Sequence, residues 1–188
     1  KGIQESCNAY FGTVYKRILD KTGSASEGSD NWSKHAKSFG LGNFLNNDLY
    51  VGQKGLIPNR AYYGKRNSFF SGNTLSNSIG QGEVRTTPIQ LANMTAAIAN
   101  KGYYYTPHIV KSIEGETLPE QFTKPKYTSI NKEHFDPVIE GMLQVYKKGT
   151  AKYLQVPDIE ICGKTGTVEN FAIIDSVKTQ LTDHSIFV

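Results

Sequence analysis

Lys164-Thr165-Gly166-Thr167 places an ammonium, two hydroxyls and a residue without a side chain at four consecutive positions. The strand-like run Ile159-Glu160-Ile161-Cys162-Gly163 precedes them, so the four predict a compact anion-binding edge. The ammonium supplies charge, and the hydroxyls of Thr165 and Thr167 donate hydrogen bonds to a carboxylate. Gly166 lets an extended substrate lie against the strand and pair with its backbone. The peptide N–H of Thr167 can face a developing oxyanion. A second group stands near the other end of the chain. In Ser6-Cys7-Asn8 the hydroxyl can relay a proton, and the amide both donates and accepts. Each group also has a plain structural reading. A Lys-Thr-Gly triplet occurs by chance where a strand runs into a turn, and Ser6 or Asn8 can simply cap the helix that follows.

Positioning these groups requires elements at both ends of the chain. Tyr10, Phe11, Val14, Ile18 and Leu19 recur at helical spacing, which predicts a helix from Asn8 to Lys21 with Gly23 as its stop. The Ser/Gly-rich stretch from 23 to 30 reads as a loop, and Asn31 is placed to cap a short helix ending near Gly40. Residues 41 to 86 show no sustained period and read as a long ordered loop region. Thr87-Pro88-Ile89-Gln90 is a strong helix start: Thr87 caps, Pro88 fits the first helical position and Gln90 completes a capping box. That helix runs through Leu91, Met94, Ala97 and Ile98 and stops at Gly102. Residues 103 to 113 predict a strand, with a turn at Glu114-Gly115-Glu116. A second long helix is expected after Asn131, with Phe135, Val138, Ile139, Met142 and Val145 on its apolar face and Gly149 at its end. Residues 159 to 170 and 184 to 188 predict two strands, separated by a loop from Glu169 to Asp183 with no assigned role. No internal repeat interrupts the pattern, and one domain is the simplest organisation.

The chain has 188 residues, 38% hydrophobic and 20% charged, which is ordinary globular composition rather than disordered. Its apolar runs are too short to span a bilayer. The opening Lys1-Gly2-Ile3-Gln4 has no signal-peptide character and no initiator Met, so a piece of a longer chain is expected. Lysines are scattered, and a formal charge of +4 fits a solvated surface. Tyr62-Tyr63 and Tyr103-Tyr104-Tyr105 raise the alternative of a basic, tyrosine-rich nucleic-acid-binding module, but the dispersed lysines form no stripe beside them. Two cysteines, Cys7 and Cys162, make no disulfide framework, and no Cys/His cluster has zinc-ligand spacing.

The motifs also stand in a particular order. Ser6-Cys7-Asn8 is followed by Ser78-Ile79-Gly80-Gln81-Gly82-Glu83, then Thr86-Thr87-Pro88-Ile89-Gln90-Leu91-Ala92 and Ala96-Ala97-Ile98-Ala99-Asn100-Lys101-Gly102. Gly141-Met142-Leu143-Gln144-Val145, Gly149-Thr150-Ala151, Lys164-Thr165-Gly166 and Asp183-His184-Ser185-Ile186-Phe187-Val188 come after. Over nearly the whole chain this resembles the class B penicillin-binding proteins, above all the elongation-type enzymes often called penicillin-binding protein 2. The resemblance implies an α+β chain with a partial serine β-lactamase/D,D-transpeptidase-like fold, helices packing against an incomplete antiparallel sheet. Residues 1–188 would be the C-terminal fragment of a single transpeptidase domain, without the last strands.

The activity implied is serine acyl transfer on D-alanyl-D-alanine stem peptides, with no cofactor and no metal. Carried onto this sequence, Ser6 relays a proton to the leaving amine, and Asn8 holds the amide side of the substrate. Lys164 tunes Ser6 and attracts the terminal carboxylate, which Thr165 and Thr167 bind. Gly166 keeps the strand edge open. The family's serine-x-x-lysine motif precedes the serine of Ser-x-Asn, and only five residues precede Ser6, so the nucleophile is expected outside this chain. Ser129-Ile130-Asn131-Lys132 has the spacing but follows Ser6, the wrong order, and should be exposed. The expected partners are peptidoglycan stem peptides, β-lactam antibiotics and the cell-wall elongation machinery, with no nucleic acid. The expected location is the periplasmic side of the bacterial inner membrane, anchored by an N-terminal segment not in this chain. The fragment alone is expected to be inactive and to self-associate. A β-lactam-sensing domain and a serine β-lactamase are the alternatives within the same fold.

Overall fold

The apolar stripe after Ser6-Cys7 winds into α1 (Asn8–Asp20), which buries Tyr15 and Leu19 and ends before Gly23, at φ +77°. The computed structural model describes residues 1–49, 52–64 and 71–188. The stretch from 23 to 30, expected as a loop, begins a helix instead: α2 (Ala25–Ser38) starts six residues before Asn31, with Ser24 Oγ accepting from the Glu27 N–H at 3.2 Å. The small residues that suggested a loop are what allow close helix packing. A Cβ on Gly28 would lie 2.3 Å from both Cα and O of Leu19 in α1, and Ser29 and Ser33 are buried.

Residues 41 to 86 are also more regular than the absence of a period suggested. They contain α3 (Arg60–Gly64) and α4 (Ser71–Ser78). Leu56 and Arg85 pair through two backbone hydrogen bonds of 2.7 and 2.8 Å. The parts of that expected loop at 50–51 and 65–70 lie outside the described residues. α5 (Pro88–Ala99) starts as expected, with the reciprocal Thr87–Gln90 capping box, and Gly102 follows at φ +115°. Beyond its capping role, Gln90 is buried and donates from Nε2 to the carbonyls of Asn43 (2.7 Å) and Lys54 (3.1 Å), which fixes the preceding loop. The strand expected over 103–113 shrinks to β1 (Tyr103–Tyr104). After α6 (Glu120–Thr123), β2 (Lys126–Tyr127) pairs with it antiparallel. The reason is local: Pro107 has no N–H, and the N–H groups of Ile109 and Val110 go to the Asp48 carboxylate at 2.8 Å rather than to a neighbouring strand. The turn at Gly115 forms as expected, closed by the Ile113–Glu116 bridge.

These elements make one compact unit, Asn8–Asp136; a second joins Lys1–Cys7 to Pro137–Val188. The second unit is built on α7 (Asp136–Lys147), which follows a short 3-10 turn at Lys132–His134 and buries Met142, Val145 and Tyr146. Its strands are β3 (Thr165–Val168), β4 (Phe171–Ile174), β5 (Val177–Gln180) and β6 (His184–Phe187). β3 pairs antiparallel with β6, Thr165 opposite Phe187 and Val168 opposite His184. The expected strand from 159 starts only at Thr165, because the Gly163 N–H turns to the Met142 carbonyl of α7 at 3.3 Å. The expected loop from 169 to 183 is a hairpin: β4 and β5 pair across Asp175-Ser176, both left-handed at φ 51° and 64°. The α+β class holds, with three two-stranded antiparallel pairs among the described residues.

Candidate active site

The ladder between β3 and β6 decides which groups of the Lys-Thr-Gly run face outward. Lys164 and Val188 exchange both backbone hydrogen bonds, at 2.7 and 3.1 Å. In an antiparallel pair, bonded and non-bonded positions alternate, so Gly166 is also turned toward β6. Thr165 and Thr167 therefore direct their N–H and C=O groups to the opposite edge of β3. Among the described residues no strand pairs with that edge. Gly166 has a packing reason beside the expected one. A Cβ there would lie 2.8 Å from Ile186 Cγ2, so the glycine also makes room for the partner strand.

Ser6 reaches the same place from the other end of the chain. Residues 1–7 wind into a short turn held by the N–H groups of Glu5, Ser6 and Cys7 on the carbonyls of Lys1, Ile3 and Gly2, at 2.9, 3.2 and 3.0 Å. Ser6 is left-handed at φ 47°, a conformation that costs a side-chain-bearing residue about 1–2 kcal/mol. α7 holds the turn in place. A Cβ on Gly141 would lie 2.9 Å from Ile3 Cδ1, and one on Gly149 would lie 2.3 Å from the Gln4 carbonyl oxygen. Both glycines give the N-terminal turn close access to the helix.

Across 158 residues of sequence, Lys164 Nζ donates to Ser6 Oγ; it also donates to the Thr165 carbonyl at 2.6 Å and lies 3.4 Å from Thr165 Oγ1. Burial pushes the Lys164 ammonium below the usual lysine value. No carboxylate pairs with it among the described residues, whereas Lys147 is paired with Glu160. An ammonium only donates, so Ser6 Oγ accepts and its own hydrogen is directed elsewhere. The arrangement can pass a proton through Ser6 and attract an anion to the edge of β3. Thr165 Oγ1 is in turn 2.8 Å from Thr150 Oγ1.

The structure thus brings together Ser6, Lys164 and Thr165, with Gly166 and Thr167 on the same strand. Asn8 is exposed and opens α1, in the other compact unit. Ser129 is exposed, as expected, and its hydroxyl is bonded to His35 Nδ1 (2.7 Å) and Ser38 Oγ (3.0 Å), both on α2. Residue-type reasoning gave Gly149 only the role of a helix stop and gave Thr150 none. The available signal was a glycine directly after an amphipathic helix followed by a hydroxyl, which reads equally well as a helix stop. Cys7 and Cys162 are exposed free thiols, and no group of three or more His, Cys, Asp or Glu is placed to hold a metal among the described residues.

Comparison with known proteins covers the full length of the chain. The family model for the penicillin binding protein transpeptidase domain matches residues 1–188. The peptidoglycan D,D-transpeptidase MrdA of Acinetobacter baumannii is 29% identical over 100% of this chain and 28% of its own length. That of Haemophilus influenzae is 30% identical over 100% of this chain and 30% of its own. The chain therefore spans less than a third of these relatives. Among solved structures, Pseudomonas aeruginosa PBP2, determined in complex with WCK 5153, superimposes with a TM-score of 0.75 at 32% identity, covering 88% of this chain and 37% of that one. PBP2 of Helicobacter pylori, in its complex with MreC, gives 0.69 at 29% identity over 88% of this chain and 29% of that one. The chain belongs to the penicillin-binding protein transpeptidase domain family.

Proposed function

We propose that this chain supplies one wall of the active site of a peptidoglycan D,D-transpeptidase acting on D-alanyl-D-alanine stem peptides. The observation that carries the reading is the Lys164 ammonium on Ser6 Oγ, without a carboxylate partner among the described residues and beside the Thr165 hydroxyl on β3. The nucleophilic serine lies outside these 188 residues. The only serine-x-x-lysine present is Ser129 to Lys132, whose hydroxyl is engaged with α2. In the first half-reaction the nucleophile gives its proton to the lysine of its own serine-x-x-lysine motif, its oxygen bonds the carbonyl carbon, and the bond to the terminal D-alanine nitrogen breaks. Ser6 passes its proton to that nitrogen and is recharged from the Lys164 ammonium, which its lowered pKa makes the better donor. Thr165 and Thr167 hold the terminal carboxylate, and the Thr167 N–H contributes to the oxyanion site. In the second half-reaction an amine of another stem peptide takes the acyl group, forming a new peptide bond and freeing the serine.

The same reading assigns β-lactams as ligands, since they acylate the serine that the stem peptide acylates. It assigns cell-wall elongation proteins as partners, in keeping with the MreC complex of the Helicobacter pylori relative. It places the domain on the periplasmic side of the inner membrane. No described helix of this chain is long and apolar enough to cross a membrane. The test is a fluorescent penicillin added to the full-length protein, followed by a denaturing gel and mass spectrometry. One label per chain is expected on a serine upstream of Ser6, and none on the 188-residue chain alone. Ser6→Ala and Lys164→Ala should each slow labelling about 100-fold or more. A stoichiometric adduct on Ser129, or an unchanged rate in Ser6→Ala, would overturn the assignment.

A further inference from the structure

Thr150 is hydrogen-bonded to a near neighbour of each half of the Ser6–Lys164 pair. Its N–H donates to the Gln4 carbonyl at 3.4 Å, two residues before Ser6, and its Oγ1 lies 2.8 Å from Thr165 Oγ1. The turn carrying it leaves little freedom. Gly149 is buried against Gln4 O and Val145 Cα, and Ala151 is buried with its N–H on the Val145 carbonyl at 3.1 Å. Thr150 is therefore presented to Thr165 from a rigid helix end.

The hydroxyls can be counted. A threonine hydroxyl has one hydrogen and two lone pairs. Thr165 Oγ1 has the Lys164 ammonium at 3.4 Å, which can only donate to it. If the Thr150 hydroxyl also donates, both lone pairs of Thr165 are engaged and its single hydrogen is released toward the edge of β3. If Thr165 donates to Thr150 instead, that hydrogen is consumed inside the protein. An anion arriving at β3 selects the first arrangement, because only there does Thr165 offer it a hydrogen.

We propose that Thr150 is a positioning residue that donates to Thr165 and so makes the Thr165 hydroxyl a donor to the carboxylate end of the substrate. The inference rests on the reading above that Thr165 binds a carboxylate. Thr150 touches no substrate itself, and it confers selectivity for a charged terminus through the hydroxyl it aims.

The test compares Thr150→Val, Thr150→Ser and Thr165→Val in the full-length protein, each acylated by a depsipeptide ending in a free carboxylate and by its carboxamide. Thr150→Val should lower kcat/KM about tenfold for the carboxylate, the size of one hydrogen bond to a charged group, and less than twofold for the carboxamide. Thr150→Ser keeps the hydroxyl and should stay within threefold of the parent on both. The ratio of the two substrates is independent of how much protein is folded, so a loss of folding does not mimic the result. Equal losses on both substrates, or no loss on either, would overturn the role of Thr150. If Thr165→Val also fails to discriminate the substrates, the assignment of Thr165 to the carboxylate falls instead.

Discussion

Replacing Gly149 with alanine should leave the protein folded and still cost most of its activity. The added Cβ would stand 2.3 Å from Gln4 O, 2.9 Å from Val145 Cα and 3.0 Å from Gln4 Cγ. Ordinary contact begins near 3.4 Å, so the Gln4 carbonyl has to retreat by about 1 Å, because α7 behind Gly149 is the more rigid partner. The overpacking costs about 1–3 kcal/mol. Gln4 is two residues from Ser6, in a turn of only seven residues, so Ser6 Oγ moves with it off the Lys164 ammonium. A displacement of about 1 Å in a catalytic group costs on the order of 100-fold in rate. The assay is the time course of acylation by a fluorescent penicillin in the full-length protein, with a thermal melt of the same sample. Gly64→Ala is the control, since among the described residues nothing lies within 4 Å of its Cβ position and its φ is not left-handed. The expected result is a folded protein with a modestly lowered melting temperature and an acylation rate constant reduced about 100-fold. A folded Gly149→Ala protein that acylates within twofold of the parent would refute the argument that this contact sets the position of Ser6.

Gly28→Ala should destabilise by about 2 kcal/mol in denaturant titration: the helix gains up to about 1 kcal/mol in propensity, but the methyl meets the Leu19 backbone at 2.3 Å. A stabilised variant would show that α1 and α2 are free to separate. Burial lowers the Lys164 pKa, so its proton is present at low pH and lost as pH rises through a value below 10.5. The alkaline limb of the acylation profile should fall there, and a limb at or above 10.5 would assign it to another group. The Val110 N–H, with that of Ile109, holds the Asp48 carboxyl below its usual 3.8, so its contribution to stability is present above 3.8 and lost as pH falls through the lowered value. Asp48→Asn should melt lower than the parent at neutral pH, with the difference closing in acid; a gap unchanged at low pH would mean the charge is not what matters.

Residue types exposed parts of this architecture unevenly. The α5 start was fully legible, because Thr87, Pro88 and Gln90 each satisfy a local geometric need that no distant contact changes. α2 was not, because a helix packed at backbone distance on its neighbour requires glycine and serine, the same residues that mark loops. The β4–β5 hairpin was missed for a related reason. Its turn is Asp175-Ser176 without a glycine, and its apolar residues fall on both faces, so no period of two survives: Phe171 and Ile173 share one face, Ile174 and Val177 the other, and all four are exposed. The strand expected from 159 began late because a hydrogen bond from Gly163 to α7 competes with the ladder, a tertiary choice that propensity does not record.

The candidate site divides along the same line. The identities of Ser6, Lys164, Thr165, Gly166 and Thr167 were legible because each has a chemistry of its own. The means of bringing Ser6 to Lys164 was not, because it consists of absences: no Cβ at Gly141, where Ile3 sits, and none at Gly149, where Gln4 sits. Those two positions face the turn from one side of α7 and its end, and they explain how a serine can be held left-handed at φ 47°. A strained residue persists only where its neighbours over-determine it. Here the lysine hydrogen bond fixes the side chain, the helix fixes the two residues before Glu5, and the turn's own N–H groups close the backbone between them. Releasing any one of the three lets Ser6 relax toward an ordinary φ, which turns its hydroxyl away from the ammonium. The geometry of the Ser6–Lys164 pair is therefore a property of α7 as much as of the two motifs, and on the proposed function α7 sets whether the relay can form.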